Sequence, residues 1–324
     1  MSQKIRCAVV GVGYLGRFHA QKYKAIATQS PEQIEFVGVC DASAERSKEI
    51  ATELGVQSFT DPKALIGKVD AVTVATSTQA HYDVAKMLLS AGIHVHVEKP
   101  MTATVAQGEE LVRIAAENNV RLQVGHVERF NPALSAAKEK LGRPLFIECH
   151  RLAAFKPRGA DVDVIMDLMI HDIDVVLSLV KSNVATVSAV GTPVLTKTID
   201  IANVRLEFES GTVANLTASR VSQNSMRKFR VFQQAQYLSM DFGTGELNLT
   251  TKKGEWSDGN VPLEFDSWSM EKADALLEET KAFIHAIQTK TRPIVSGEDG
   301  LIAMKVAETI QKEIWDRLSR NGFV

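Results

Sequence analysis

The stretch "KIRCAVVGVGYLGRFHAQKYKAIA", residues 4–27, decides the fold. Its opening "KIRCAVVGV" is an apolar run that reads as a strand, and "YLGRFHAQKYKAIA" reads as a helix. Gly11, Gly13 and Gly16 form G-x-G-x-x-G at the turn between them. Gly11 serves the tight turn, Gly13 lets a pyrophosphate approach the backbone, and Gly16 permits close helix–strand packing. The helix N-terminus, with its free N–H groups, then holds the phosphates, and Tyr14 and Leu15 of the same loop count as cofactor neighbours. The pattern alone is weak. Here it follows a strand, opens a helix, and precedes a second strand, "EFVGVCD", that ends on an acid. Asp41 falls where a ribose 2′-hydroxyl would lie, where a carboxylate accepts from the diol and repels a 2′-phosphate. NAD is therefore expected over NADP, with Arg46 the nearby cation that a phosphate would meet.

Outward from this stretch, strands and helices alternate. "ASAERSKEIATELG" is a helix closing on Gly55, "AVTVAT" a strand, "AHYDVAKMLLSAG" a helix, and "IHVHVEK" a strand. "TATVAQGEELVRIAAENN" and "VRLQVGH" add one more helix and strand. Such alternation means βαβ units, so a doubly wound parallel sheet is expected over residues 1–124. From about Phe146 the pattern becomes strands joined by short polar turns. In "NVRLEFES", Val204, Leu206 and Phe208 face one way and Arg205 and Glu207 the other, the mark of a half-buried antiparallel sheet. The helix "VIMDLMIHDIDVVLSLV" interrupts it and two more close the chain. The fold class is α/β, with a second domain over 125–324 whose last helices are free to pack back on the first.

The whole chain sets bounds. Its 324 residues suffice for two domains with separate cores, and 45% apolar with 23% charged residues is ordinary for a globular protein. A net charge of −2 gives no electrostatic case for nucleic acid or an anionic membrane. No apolar run is long enough to span a bilayer, and the leader-like N-terminus breaks at glycines without a cleavage site. Cys7, Cys40 and Cys149 are few and widely spaced, as buried thiols in a reducing cytoplasm would be. A cytoplasmic protein is expected.

Two further stretches carry chemistry. In "HVHVEKPMT" (94–102), a strand ends on Glu98, Lys99 and Pro100, and the proline holds Lys99 in extended backbone at the carboxyl edge where open α/β sheets bind ligands. In "MDLMIHDID" (166–174), Asp167 and His171 are four apart and share a helix face, with Asp174 three further on. A histidine can shuttle a proton while a carboxylate fixes its tautomer, and lysine supplies a cation. Lysine, histidine and acid around a carbinol suit reversible alcohol oxidation with hydride passing to a nicotinamide.

These motifs together resemble the glucose–fructose oxidoreductase / inositol dehydrogenase / MocA family. The glycines come first, then "ATSTQAHYDVAKMLLSAGIHVHVEKPMT" (75–102), then D-x-x-x-H-D-x-D, and late in the chain "PIVSGEDGLIAMKVAETI" (293–310). The resemblance implies a dinucleotide domain followed by an α/β domain whose large open sheet serves oligomerisation, as a homodimer or homotetramer. It implies that Lys99 and His171 handle the proton and that Asp167 binds substrate or partners His171. It places Glu98 by the nicotinamide ribose and Thr76, Ser77 and His81 along the cofactor cleft, with a cis Lys99–Pro100 bond. "VGHVERFNPAL" and "VIMDLMIHDID" look most like the branch that oxidises C3 of a UDP-N-acetylhexosamine such as UDP-GlcNAc, on the way to 3-amino sugars for lipid A or surface polysaccharide. The glycine-rich lead-in common elsewhere in the family is replaced by "GADVDVIMD" (159–167). Arginine forks suit a pyrophosphate, and Arg129, Arg151, Arg158, Arg220 and Arg227 are candidates. Arg129, Asn131 and Arg151 are the selected substrate ligands.

Other readings remain beside this one. The same fold serves free sugars, inositols and non-sugars such as the tetrapyrrole biliverdin, and a non-catalytic NAD(H) sensor would keep the glycine loop without turnover. His126, Cys149, His150 and His171 match no compact zinc motif, since adjacent strand residues point to opposite faces, so no metal is expected. "RKFR" reads as a strand with alternating faces rather than a nucleic-acid patch.

Overall fold

This computed structural model describes residues 4–156, 162–255, 257, 259, 261–270 and 273–323. The chain forms two compact units, one of Met1–Val127 with Asp274–Ile302, the other of Glu128–Ala273 with Ala303–Val324.

The first unit runs β1 (Ile5–Val10), α1 (Tyr14–Gln29), β2 (Ile34–Cys40), α2 (Ala44–Leu54), β3 (Gln57–Phe59), β4 (Ala71–Val74), α3 (Thr78–Ser90), β5 (His94–Glu98), α4 (Val105–Glu117) and β6 (Leu122–Gly125). All six strands are parallel, in the order β3-β2-β1-β4-β5-β6. This doubly wound order reverses between β1 and β4, and ligands bind at that reversal, outside the carboxyl ends of the strands. Local chemistry sets the helix ends. Ser43 caps α2, Gly55 ends it in a left-handed conformation, and a Thr104–Gln107 capping box opens α4. The short β3 lacks a periodic signal and escapes sequence reading.

The second unit contains α5 (Pro132–Lys138), β7 (Phe146–Leu152), α6 (Ile170–Val180), β8 (Val184–Thr192), β9 (Ile201–Phe208), β10 (Val213–Ser219), β11 (Met226–Gln233), β12 (Gln236–Asp241), β13 (Glu246–Lys252) and β14 (Leu263–Ser269). Its eight strands lie in the order β14-β13-β12-β11-β7-β10-β9-β8, antiparallel except for β10 beside β7. Burial alternates along β9 as its sequence pattern requires. One face holds Ile147, Leu206, Leu216, Phe229, Leu238 and Leu247, all fully buried.

Two helices follow. α7 (Ala275–Gln288) belongs to the first unit, where Phe283 and Ile284 join the core of Ile5, Val9, Tyr23 and Ile50. α8 (Gly297–Arg320) begins there too, with Gly297 and Gly300 pressed on Leu122 and Val124, and continues in the second unit, where Ile314 meets Gly191. Among the described residues, no helix is long and apolar enough to cross a membrane.

Candidate active site

The glycine loop separates demands of the fold from demands of a ligand. Gly11 has φ +83°, and a Cβ there would sit 2.6 Å from the Thr76 nitrogen. A Cβ at Gly16 would fall 1.7 Å from the Gly11 carbonyl oxygen. Nothing lies within 4 Å of a Cβ built at Gly13, so bare backbone there serves something that approaches from outside. Gly13 is also the N-cap of α1, with no side-chain cap and no acid in the first turn. That helix end keeps its orphan N–H groups and its positive potential for an anion. Leu15 is half-buried, while Tyr14 is exposed and meets Phe18 edge-on at 5.2 Å.

Asp41 follows β2 and accepts from the Val12 N–H at 2.8 Å and the Ser43 N–H at 2.9 Å. A carboxylate has about four lone-pair sites, so capacity for a ribose diol remains. Arg46 donates to the Val12 carbonyl at 2.8 Å and pairs with Glu49 at 2.7 Å. It braces the loop from below.

The β4 and β5 ends supply the next group. Thr76 is half-buried beside Gly11, and the exposed Ser77 caps α3 without a side-chain hydrogen bond. His81 is not a wall residue of the kind expected. Its ring is buried, with Nδ1 2.9 Å from the Pro100 carbonyl and Nε2 3.1 Å from the Thr76 carbonyl, so it ties the two strand ends together. Burial pulls it below the ordinary histidine value despite those carbonyls. The Lys99–Pro100 bond is cis and Lys99 is half-buried. Glu98 is buried, and its carboxylate is held by His19 at 2.7 Å and by the Lys99 main-chain N–H at 3.1 Å. Burial favours its neutral form, but the hydrogen bond and charge of His19, with His96 and Lys99, hold it below the ordinary carboxylate range.

In the second unit the expected single helix over 164–180 is two elements. Ile165–Met169 is a π-helical turn and α6 follows it. Such turns are rare and occur often at functional sites. Asp163 caps it: one carboxylate oxygen accepts from the Ile165 and Met166 N–H groups, both at 3.0 Å, and the other from Gln311 at 2.5 Å. The turn presents Asp167, and α6 presents His171 near its start; both are half-buried. Asp174 lies three residues beyond His171 on the same helix. It is buried and bound to Arg129 at 3.2 Å.

The selected substrate ligands are interior braces. Arg151 is 5% exposed and grips Asp172 with Nε and Nη2 at 2.9 and 2.8 Å and Glu128 with Nη1 at 2.9 Å. Burial opposes its charge, but the two carboxylates hold the guanidinium above its ordinary value. Asn131 caps α5 through Ala133 and donates to Glu128 and to the Phe242 carbonyl. Arg220 is likewise committed to Asp200, at 2.7 Å, and to Thr196 and Thr198. Arg158 lies outside the described residues. Arg227 is exposed on β11, opposite Arg151 in register.

Sequence reading missed His19, Asp163, Glu128, Asp172 and Glu279. His19 had a signal: with Gly16, Ala20, Tyr23 and Ile26 it lies on the buried stripe of α1, an odd place for an imidazole without a partner. Among the described residues, ligand-type atoms of His19, Glu98 and Glu279 converge within 4.8 Å, a group containing none of the sequence's zinc candidates.

The model of an oxidoreductase family with an NAD-binding Rossmann fold matches residues 5–126, and that of the GFO/IDH/MocA C-terminal domain matches 136–238. A UDP-N-acetylglucosamine 3-dehydrogenase from Acidithiobacillus ferrooxidans is 39% identical over 93% of this chain and 94% of its own. The chain belongs to the GFO/IDH/MocA oxidoreductase family. A solved structure of that Acidithiobacillus enzyme covers 96% of this chain and 98% of its own, with a TM-score of 0.87 at 37% identity. A scyllo-inositol 2-dehydrogenase (NAD(+)) from Bacillus subtilis is 30% identical over 94% of this chain and 93% of its own. As a family member the chain is an NAD-dependent dehydrogenase, which sets the sensor reading aside. The open backbone at Gly13 and the uncapped head of α1 fit that cofactor.

Proposed function

We propose that this dehydrogenase oxidises the C3 hydroxyl of a UDP-N-acetylhexosamine, foremost UDP-N-acetylglucosamine, to the 3-keto sugar. The observation that carries the reading is the similarity to the Acidithiobacillus UDP-N-acetylglucosamine 3-dehydrogenase, which exceeds the similarity to the inositol dehydrogenase over almost the same share of the chain. The N-terminal N–H groups of α1, reached over Gly13, take the pyrophosphate of NAD, and Asp41 takes the ribose diol. Bound NAD supplies the hydride acceptor. Lys99 and His171 handle the hydroxyl proton as hydride leaves the carbon, and Asp167 orients His171 or the sugar. Arg227, the exposed arginine among the described members of the set, is reassigned to the substrate diphosphate in place of Arg151.

A 3-keto sugar is a natural substrate for an aminotransferase, which places the reaction before amination in the making of a 3-amino sugar, for lipid A or surface polysaccharide, in the cytoplasm. Assembly as a homodimer or homotetramer uses the second face of the eight-stranded sheet. There Phe146, Phe232 and Tyr237 stand in lateral register, joined through Thr250 to the exposed Phe265. The second reading, an inositol substrate, draws on the Bacillus relative. The test is NADH formation with UDP-N-acetylglucosamine, free N-acetylglucosamine, scyllo-inositol and myo-inositol. Turnover confined to the nucleotide sugar is expected; equal or faster turnover of an inositol overturns the proposal.

A further inference from the structure

The core of the first unit holds an ionisable network that the proton chemistry above does not use. His19 is fully buried, and its Nε2 lies 2.7 Å from Glu98 Oε1 while Nδ1 has no hydrogen-bond partner. The other Glu98 oxygen accepts the Lys99 main-chain N–H. Behind the carboxylate is Gly125, where a Cβ would stand 2.8 Å from Oε2. Glu98 is thus boxed between an imidazole, a peptide N–H and a bare backbone. A second layer backs the first. His96 meets His19 edge-on at 5.3 Å, its Nδ1 lies 3.3 Å from the Thr73 hydroxyl, and its Nε2 lies 3.7 Å from Glu279 of α7.

Burial of a carboxylate is tolerated only when its partners are fixed. Glu98 therefore has little freedom, and neither does the peptide it holds. That peptide is the first bond of the Lys99–Pro100 corner. His19 belongs to α1, five residues after its first. The same rigid helix that offers its N-terminus to the pyrophosphate reaches down through His19 and Glu98 to the lysine. A shared proton suits the short His19–Glu98 contact better than an intervening ion, which would spread its ligands.

We propose that His19 is a positioning residue of the dehydrogenase: acting through Glu98, it sets the main-chain placement of Lys99 and couples it to the pyrophosphate helix. The inference rests on the reading of Lys99 as a proton-handling residue. It reassigns Glu98 from a cofactor contact to the link between helix and lysine.

The two amide substitutions at His19 separate this role from mere packing. Gln places its nitrogen where Nε2 stands, and Asn places it where Nδ1 stands. His19→Asn is expected to lower kcat by about 30-fold while the NAD Kd, read by fluorescence quenching, stays within about threefold; His19→Gln recovers to within about fivefold of wild type. The assay uses whichever of the four substrates above wild type turns over fastest. Equal losses in both variants, or no loss in His19→Asn, overturn the proposal. Lys99→Ala serves as the control: an inactive Lys99→Ala beside a fully active His19→Asn sinks this inference alone, whereas an active Lys99→Ala sinks the lysine reading first. A stoichiometric divalent ion whose chelation abolishes turnover also overturns it. Amide exchange in the unmutated protein covers the case of variants that fail to fold: NAD alone slows exchange at Lys99, and an unchanged rate counts against the coupling.

Discussion

Around the glycine loop of the first unit, the groups offered to a ligand are main-chain N–H groups, and the charged side chains nearby, Asp41 and Arg46, steady the loop. In the second unit the charged side chains dominate, yet Arg129, Arg151 and Arg220 are all committed to buried carboxylates. The contrast shows two ways of preparing a site. A backbone site needs glycines at fixed spacing and leaves a strong mark. A side-chain site needs direction as well as identity, and an arginine's long stem allows it to turn inward as easily as outward. These three arginines of the second unit organise its interior.

The largest effect that would sharpen this comparison is at Lys99. Lys99→Ala should lower turnover by about 10²–10⁴-fold, the usual worth of a general acid–base group, with NAD affinity nearly kept. An unchanged kcat would remove the lysine from the mechanism. Arg151→Met tests the interior assignment. Leaving Asp172 and Glu128 buried without their cation should cost about 3–5 kcal/mol of stability by urea denaturation. Arg227→Gln should leave the urea midpoint in place and raise KM for the nucleotide sugar; if instead Arg151→Met raises KM with stability intact, the two arginines have been assigned the wrong way round. The glycines divide in the same manner. Gly13→Val should fold normally and lose NAD affinity, while Gly16→Ala should lose thermal stability first, as calorimetry beside NAD titration would show.

The smallest effect concerns pH. Burial opposes the Asp200 charge, but N–H groups of Thr196, Val194 and Leu195, with Arg220, hold its carboxyl below the ordinary range. Its folded value lies below its unfolded value of about 3.9, so its contribution is present above that pH and lost as pH falls through the folded value. Asp200→Asn should flatten the acid limb of stability below about pH 4; urea midpoints from pH 2 to 7 would show it, and parallel curves for the two proteins would contradict it.

The legibility of the molecule follows the same divide. Gly11 and Gly16 are readable because a positive φ at the one and a close backbone approach at the other restrict the residue type, and β9 because its period of two matches its burial. The π turn is not, since Asp167 and His171 at a spacing of four suit an ordinary helix equally well. The cap of that turn, Asp163, is itself held by Gln311, 148 positions away in the chain and invisible to local pattern. Asn131 and Arg151 were misassigned because their partners, Glu128, Phe242 and Asp172, are set by the tertiary fold. α7 carries a clear helical pattern, but nothing in that pattern names the core it joins.

Val12 is gripped on both sides, its N–H by Asp41 and its carbonyl by Arg46. The residues to which the proposed function gives the choice between the two nicotinamide dinucleotides are thus also the bolts of the loop. An engineer seeking to admit a 2′-phosphate by deleting the acid and freeing the arginine would loosen the cradle with the same two cuts. A successful redesign has to supply replacement anchors for that one peptide unit before altering the selectivity.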